Sequence, residues 1–396
     1  MATFARRRIL SRGLIAATQV HEAGPYCGHA DRQVARQVPG RRPPSQNGII
    51  MNADHRPRRS GISRGRLLAV GAGAGAFASI GFLRYPGDAA EFSYKLASDQ
   101  TPTHPMTLET IAAVKRVQDA SGGQMEIRVF PQSVLGGDPQ MLAQARSGAL
   151  EFLEIGNNVL GNVVPIAAMT SLPFAFESFK QFMGAANGPL GAYIAAAMSR
   201  IGLRTVAPFY GGAFQMQSRL GPINSPADLK GVKMRVPPGP IDVATFKVFD
   251  ASPTVISVGE VYTALQTHIV DAVEVPLPSF VNFKFYELIK FCSITSHSRL
   301  IYFLVANNDA WARLPKKLQD IVSREFSAAA AAGSTGMSDA ENSLEGTLRS
   351  QGVAINHAPS EPFRRAIRDA GLYKTWREQY DPEAWKLLEK TTGQLT

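Results

Sequence analysis

The segment "GVKMRVPPGPI", Gly231–Ile241, places one arginine, Arg235, in a short apolar run that ends in two prolines and a glycine. Its apolar residues predict a buried strand, and Pro237 and Pro238 end that strand because proline lacks the N–H that a sheet needs. Apolar residues then recur at helical spacing over 240–249. The segment therefore predicts a strand, a turn and a helix, with a positive charge near the carboxyl end of the strand.

Strand and helix patterns alternate on both sides of this segment, which predicts an α/β fold with a mostly parallel sheet. Strands are predicted at 92–98, 125–130, 150–155, 204–209, 213–219 and 269–275. Helices are predicted at 107–121, from Pro139 to Gly148 and at 259–267, and apolar spacing in the first of them gives Leu108, Ile111, Val114 and Val117. After residue 315 a long helical stretch carries the apolar stripe Leu318, Ile321, Val322 and Phe326.

Two alternating regions joined in the middle, with a long helix that spans both, predict two lobes and a cleft. We expect lobe I to comprise 91–212 plus 302–340 and lobe II to comprise 213–301 plus 341–396. Ligands of open α/β sheets bind outside the carboxyl ends of the strands, and Arg235 lies near such an end. Gly239 is expected to allow the sharp entry into the next helix.

Charge is distributed unevenly along the chain. The first 90 residues hold 14 of the 42 Lys and Arg residues and 4 of the 32 Asp and Glu residues, so the remainder carries 28 of each. A body without net charge gives no electrostatic case for nucleic acid. Its single cysteine, Cys292, excludes an internal disulfide, and no Cys/His spacing suits zinc. There is no nucleophile elbow or cofactor loop, so we expect neither an enzyme nor a cofactor or metal.

The basic excess belongs to a leader. Arginines including Arg58 and Arg59 precede a mildly apolar run over 67–83, and small residues follow at 87–90. This layout is typical of an export signal, and its arginine pair resembles a twin-arginine signal. We expect an export signal over 51–90 cleaved near Ala89–Ala90, after a disordered extension over 1–50. A retained membrane anchor is the alternative, for which the glycine-rich run is marginal.

Several motifs resemble one known family. "FPQSVLGGDPQMLAQARSGALEF", "DLKGVKMRVPPGP", "SPTVISVGEVYTALQTHIVDAVEVPL" and "KFYELIKFCSITSH" occur in the order typical of the periplasmic solute-binding subunits of TRAP transporters, the DctP family. The resemblance covers about residues 92 to 390. It implies a two-lobed periplasmic binding protein, type II-like, which closes on a small organic acid and delivers it to membrane permease subunits. A monomer is expected.

The resemblance also implies a role for Arg235. The family's arginine in the "RVP" segment forms the salt bridge to the substrate carboxylate, and Arg235 is the matching position. A planar guanidinium suits this role because it donates two parallel hydrogen bonds and stays charged. The alternative is a strand arginine that extends its charge to water.

Four positions depart from the pattern of family members that bind sialic acid or C4-dicarboxylates. A second arginine falls on Gln215, two asparagines fall on Pro238 and Val275, and an aromatic residue falls on Val258. Each change removes a charge, an amide or a ring. The changes favour a monocarboxylate with an apolar body, which can lie against valines without leaving polar groups unpaired.

Other ligand-binding candidates are polar residues after strands and aromatic residues near them: Asp99, Gln100, Asn157, Asn158, Gln215, Tyr210 and Phe214, with Val258 and Val275 as apolar contacts. Turn chemistry is the alternative for the asparagines and core packing for the aromatic residues. Glu274 is expected to be structural, since its charge would repel an acid. A periplasmic sensor coupled to a membrane signalling partner is the alternative function.

Overall fold

The computed structural model describes residues 90–395. The predicted extension over 1–50 and the predicted export signal lie outside the described residues, apart from Ala90. None of the helices in the described part combines the length and hydropathy needed to cross a membrane.

Nine strands form one sheet within the described range. They are β1 (Phe92–Ala97), β2 (Met125–Phe130), β3 (Phe152–Gly156), β4 (Leu203–Ser218), β5 (Lys233–Val236), β6 (Ser252–Val255), β7 (Ala272–Pro276), β8 (Phe291–Asn307) and β9 (Ala354–His357). The order is β2-β1-β3-β8-β4-β7-β5-β6, and β9 pairs with β8. Short strands pair in parallel within each half of the sheet, whereas β3 and β7 run antiparallel to the long strands β8 and β4.

Fourteen α-helices accompany the sheet within the described range. The first group is α1 (Pro105–Ala120), α2 (Asp138–Ser147), α3 (Asn157–Leu160), α4 (Pro165–Ala168), α5 (Phe179–Ala186), α6 (Pro189–Arg200) and α7 (Pro240–Val248). The second is α8 (Val261–Gln266), α9 (Leu277–Asn282), α10 (Asn308–Arg313), α11 (Lys316–Ser350), α12 (Ser360–Asp369), α13 (Leu372–Gln379) and α14 (Pro382–Thr392). The 35-residue α11 is the predicted long helix.

The long strands β4 and β8 join two lobes. In one half of the sheet β8 pairs with β3, and in the other half β8 pairs with β9 while β4 pairs with β7. We call the half with β1, β2 and β3 lobe I and the half with β5, β6 and β7 lobe II. The two-lobed α/β fold expected from the sequence is the one observed. The residue boundaries predicted for the lobes stay a prediction.

The strands predicted at 204–209 and 213–219 are one strand, so the prediction of two separate strands is wrong. The pairing of β4 with β8 shifts register between Tyr210 and Gly212. Gly212 adopts a φ of +107°, which favours glycine. A sequence pattern that breaks at glycines resembles a turn, but here a bulge lets the strand bend and continue into lobe II.

The opening segment forms β5 and α7 as predicted, although Gly239 has a different role from the one expected. Its φ of −139° is open to any residue, so conformational freedom is not the reason for glycine. A Cβ atom at 239 would lie 2.2 Å from Asp242 Oδ2 and 3.0 Å from Asn158 Cβ. Gly239 therefore permits a close approach between this turn and Asn158, which belongs to lobe I.

The buried face of α1 also differs from the apolar spacing in the sequence. Leu108 is 54% exposed and Ile111 is 43% exposed. The helix instead buries Met106, Thr107, Thr110, Ala113 and Val117. Thr110 is on that face because its hydroxyl donates to the carboxylate of Glu154 in β3. The buried face of α1 thus includes a polar residue with a buried partner and differs from the face that hydrophobicity alone predicts.

Candidate functional site

A small cavity of about 30 Å³ lies between the lobes at the carboxyl ends of β1, β3, β5 and β7. It is lined by Asp99, Gln100, Asp138, Gly156, Asn158, Val159, Phe214, Arg235, Pro237, Val258, Val275, Pro276, Ser279, Leu300 and Tyr302. All of these residues are buried. Such a volume holds roughly two or three waters. An organic acid therefore fits only if the lobes move relative to each other.

Arg235 is the cation of this cavity and is 2% exposed. Its Nε donates to Ile256 O at 2.8 Å and its Nη1 donates to Glu274 O at 3.4 Å. These two backbone carbonyls fix the plane of the guanidinium from behind. Among the described residues, none accepts a hydrogen bond from Nη2. One edge of the guanidinium thus remains for an acceptor in the cavity.

The acids behind Arg235 leave its charge largely uncompensated. Burial raises the pKa of Glu274 to about 8 and lowers the pKa of His297 to about 4. Glu274 Oε2 lies 2.8 Å from His297 Nε2, and His297 Nδ1 lies 2.8 Å from Thr295 Oγ1. Burial also raises the pKa of Asp242 well above its usual range. At neutral pH protonated Glu274 donates to neutral His297, so the guanidinium keeps its positive charge for a carboxylate.

Lobe I supplies a polar wall opposite the arginine. Tyr302 OH donates to Asp99 Oδ2 at 3.0 Å, and Gln100 Nε2 donates to Tyr302 OH at 2.6 Å. Ser279 of lobe II donates to Gln100 Oε1 at 3.3 Å. These bonds orient acceptors and donors toward one small space. The wall can therefore bind hydroxyl groups of a ligand.

Two carboxyl groups on this wall resist ionisation. Burial raises the pKa of Asp138 to about 6, and the nearby Arg235 charge opposes that rise. Burial, followed by the charge of Asp138, raises the pKa of Asp99 well above its usual range. Asp138 Oδ1 is buried and has no hydrogen-bond partner among the described residues. A protonated carboxyl there can donate to a ligand oxygen, and an ionised one can accept from a hydroxyl.

The third side of the cavity is apolar. Val258 and Val275 lie here, together with Phe214, Leu300, Pro237 after β5 and Pro276 at the end of β7. Hydrophobic surface of this kind excludes water from the arginine and strengthens its attraction for a carboxylate. The cavity thus combines one cation, a polar wall and an apolar wall.

Seven of the ten candidate residues named from the sequence line the cavity: Arg235, Asp99, Gln100, Asn158, Phe214, Val258 and Val275. Three do not. Gln215 Oε1 accepts from Thr295 N and Ser296 N, both at 2.8 Å. The structure thus uses that amide to bind the neighbouring part of β8, because alternate residues of β4 face opposite sides of the sheet.

The other two predicted residues outside the cavity are Asn157 and Tyr210. Asn157 Nδ2 donates to Thr170 and Ser171 at 2.7 Å each, whereas the next residue, Asn158, lines the cavity. Tyr210 OH donates to Glu341 Oε2 at 3.0 Å, which ties β4 to α11. For both residues the alternative weighed from sequence, a structural role, agrees with these contacts.

Sequence reasoning missed Asp138, Ser279 and Tyr302 as lining residues. Asp138 lies inside a quoted motif and begins a helix, where an acid also serves to stabilise the helix dipole. That local explanation concealed its place in the cavity. Tyr302 lies in the long apolar strand β8, where nothing local distinguishes it from core residues.

The site has no arrangement suited to a metal. Among residues 90–395, no group of three or more His, Cys, Asp or Glu side chains could hold a metal ion. The polar groups of the cavity instead form hydrogen bonds with one another and surround a cation. The arrangement is suited to holding a small anion.

Comparison with known sequences identifies similar proteins. Residues 96–381 match the family described as DctP, bacterial extracellular solute-binding protein, family 7. The chain is 30% identical over 203 residues to the 2,3-diketo-L-gulonate-binding periplasmic protein YiaO of Escherichia coli, covering 51% of this chain and 62% of YiaO. It is 29% identical over 259 residues to the sialic acid-binding periplasmic protein SiaP of Vibrio cholerae, covering 65% and 80%. A solute-binding protein of Roseobacter denitrificans is 30% identical over 281 residues, covering 70% and 84%.

Comparison with solved structures also identifies periplasmic solute-binding proteins as similar. A TRAP periplasmic solute-binding protein from Bradyrhizobium sp. BTAi1 in complex with α/β-D-galacturonate superposes with a TM-score of 0.71 at 29% identity, covering 76% of this chain and all of that one. A TRAP periplasmic solute-binding protein from Roseobacter denitrificans with bound L-galactonate has a TM-score of 0.71 at 26% identity, covering 76% and 99%.

Proposed function

Because the chain belongs to the DctP family of bacterial extracellular solute-binding proteins, we propose that it captures a small hydroxylated monocarboxylate outside the cytoplasm for a TRAP transporter. The family consists of substrate-binding transport proteins. Delivery to membrane permease subunits, export by the leader and a monomeric state are parts of this proposal.

The observation that carries the proposal is the free edge of Arg235. Its Nε and Nη1 donate to backbone carbonyls, and its Nη2 has no acceptor among the described residues. Burial raises the pKa of the two carboxyl groups behind it, Glu274 to about 8 and Asp242 well above its usual range. A carboxylate in the cavity would complete the hydrogen bonding of a buried charge, which is worth about 1.5–3 kcal/mol for a charge-assisted bond.

The polar wall narrows the proposed ligands to acids that carry hydroxyl groups. An apolar body, inferred from Val258 and Val275, accounts for only one side of the cavity. Asp99, Gln100 and Tyr302 on the other side offer oriented partners for hydroxyl groups. Two of the similar solved structures contain hydroxylated acids, L-galactonate and D-galacturonate. With a pKa of about 6, Asp138 is mostly ionised at neutral pH and would repel a second carboxylate, so we propose a monocarboxylate.

Capture requires the lobes to separate and close again. The residues that line the cavity are buried and come from both lobes. Closure around a ligand is favoured only by contacts that the closed form makes better than the open form. Arg235 from lobe II and the polar wall from lobe I would provide those contacts.

Thermal unfolding with a panel of compounds tests the proposal. D-galacturonate, L-galactonate, isobutyrate, succinate and neutral D-galactose form matched arms. A ligand present at 100 times its Kd adds about 2.7 kcal/mol to the free energy of unfolding. We expect a hydroxylated monocarboxylate to raise Tm and D-galactose to have no effect. A response to succinate alone contradicts the ligand class, and a response to isobutyrate alone favours the apolar body.

A sensor coupled to a membrane signalling partner stays the alternative prediction. Deletion of the gene separates the two roles. Loss of uptake of the responding acid supports transport. Normal uptake with loss of acid-induced gene expression supports the sensor.

A further inference from the structure

Two short helices occupy equivalent places in the lobes. In lobe I, β3 leads into α3, and Asn162 follows that helix. In lobe II, β7 leads into α9, which ends at Asn282. Each asparagine bonds its own helix, since Asn162 Nδ2 donates to Val159 O at 3.0 Å and Asn282 Nδ2 donates to Pro278 O at 2.8 Å.

Each of these asparagines also reaches the other lobe. Asn162 Nδ2 donates to Pro238 O of lobe II at 2.7 Å. Thr103 of lobe I donates through Oγ1 to Asn282 Oδ1 at 2.8 Å. None of these four residues lines the cavity. The two hydrogen bonds therefore cross the rim of the cleft without touching the space for a bound acid.

We propose that Asn162 and Asn282 are a reciprocal pair of rim latches that stabilise the closed form without recognising the ligand. Both bonds exist only when the lobes are close, so they add to the closed state and not to the open one. The helix bonds hold both amides in place beforehand, which reduces the side-chain entropy lost when the rim bonds form. The latches would thereby set how long a bound acid is retained.

The bonds are exposed, so each contributes modestly. Asn162 and Thr103 are exposed and Asn282 is half-buried, and water competes for their polar atoms. We expect the loss of one latch to lower the ratio of closed to open molecules about two- to fivefold, and the loss of both about tenfold.

Two variants remove the latches one at a time, and Thr103 Oγ1 also lies 3.4 Å from Thr101 Oγ1 within lobe I. Thr103→Val removes the hydroxyl donor, keeps the shape and leaves the helix bond of Asn282 intact. Asn162→Ala removes the other latch together with the bond to Val159 O within lobe I. Thr375→Val and Asn308→Ala are matched controls, because Thr375 Oγ1 bonds Gly371 O and Asn308 Nδ2 bonds Ser199 O, both away from the cleft. Melting temperatures of all four variants report on general stability.

The closed fraction is measured by pulsed electron paramagnetic resonance between spin labels at Lys115→Cys in lobe I and Lys230→Cys in lobe II. Both lysine side chains are exposed, at 74% and 79%. The full chain carries Cys27→Ser, and the buried Cys292 stays unlabelled. Distances are recorded without additions and with saturating D-galacturonate, and calorimetry gives the Kd for that acid.

A lower closed fraction in both latch variants, with unchanged controls, supports the proposal. A ratio equal to wild type in both conditions, or a wild-type chain that populates no closed form, overturns it. The affinity measurement rests on the proposed function, whereas the distance measurement without additions does not. If D-galacturonate fails to bind, that acid is excluded as the ligand. The distances measured without additions still test whether the latches stabilise the closed form.

Discussion

The β3–α3 unit of lobe I and the β7–α9 unit of lobe II share a design but hold different chemistry. Each strand carries a buried glutamate at its third residue, Glu154 and Glu274, and burial raises their pKa values to about 7 and about 8. Glu154 accepts from Thr110, whereas Glu274 pairs with His297 beside Arg235. The same strand position thus bonds helix α1 in one lobe and lies beside the cation in the other.

This difference indicates a division of labour. In the proposed binding mode, lobe II would hold the carboxylate of the acid through one guanidinium, and lobe I would contact the rest of the molecule through hydrogen bonds. A ligand that satisfies only one lobe gains nothing from closure, because closure is favoured only by contacts that span both. Under this proposal, specificity and closure would be coupled by the placement of unlike groups on two similar units.

Removal of the guanidinium of Arg235 is the change with the largest expected effect on ligand affinity. Arg235→Ala is expected to weaken binding of the responding acid at least 100-fold, because it deletes charge-assisted bonds in a water-excluded site. Calorimetry measures the Kd. Arg235→Lys keeps the charge but loses the planar fork, and we expect an intermediate loss. Equal protection of wild type and Arg235→Ala by the acid would falsify the anchor assignment.

Gly239 tests whether the two units must touch. Gly239→Ala places a Cβ 3.0 Å from Asn158 Cβ across the cleft and 2.2 Å from Asp242 Oδ2. We expect binding to weaken about tenfold or more because closure is obstructed, consistent with the cost of overpacking. The control is Gly336→Ala, whose Cβ meets no atom within 4 Å. An unchanged Kd for Gly239→Ala shows that the approach is dispensable.

The ionisation of Asp138, a residue of lobe I, should make ligand affinity depend on pH. With a pKa of about 6, this carboxyl is mostly neutral at pH 5 and mostly ionised at pH 8. Its charge repels a ligand carboxylate, so affinity should decrease as pH rises through 6, by up to about tenfold. Calorimetry from pH 5 to 8 measures this. We expect Asp138→Asn to flatten the profile, and a wild-type profile without slope contradicts the prediction.

The smallest expected effect is on the pH dependence of stability, through Glu154 and Glu274. A carboxyl whose pKa is raised in the folded state binds more protons folded than unfolded, so stability falls as pH rises from about 4.5 to the folded pKa. Between pH 7 and 8 Glu274 still contributes, whereas Glu154 contributes little. Glu274→Gln should reduce this slope, by at most about 1.4 kcal/mol per pH unit. Urea unfolding measures it, with Glu154→Gln as the control; equal slopes in the two variants argue against the assignment.

The predictable part of the site was the part with a local signature. Arg235 was identifiable because a charge inside an apolar strand is conspicuous and because its motif resembles a family pattern. Asp99 and Gln100 were identifiable because they follow a predicted strand. Asn157 and Asn158 could not be distinguished, since a rotation of about 100° per residue in α3 decides which one faces the cavity.

The sequence by itself determined the α/β alternation, the long helix and the position of one buried cation, because periodicity and proline placement are local properties. Tertiary structure decided which polar residues meet that cation. Asp138 and Tyr302 lie 97 and 67 residues from Arg235 in the chain, and only the closure of two lobes along β4 and β8 brings them to one cavity. Contacts between distant segments depend on how faces pack, which no local pattern specifies.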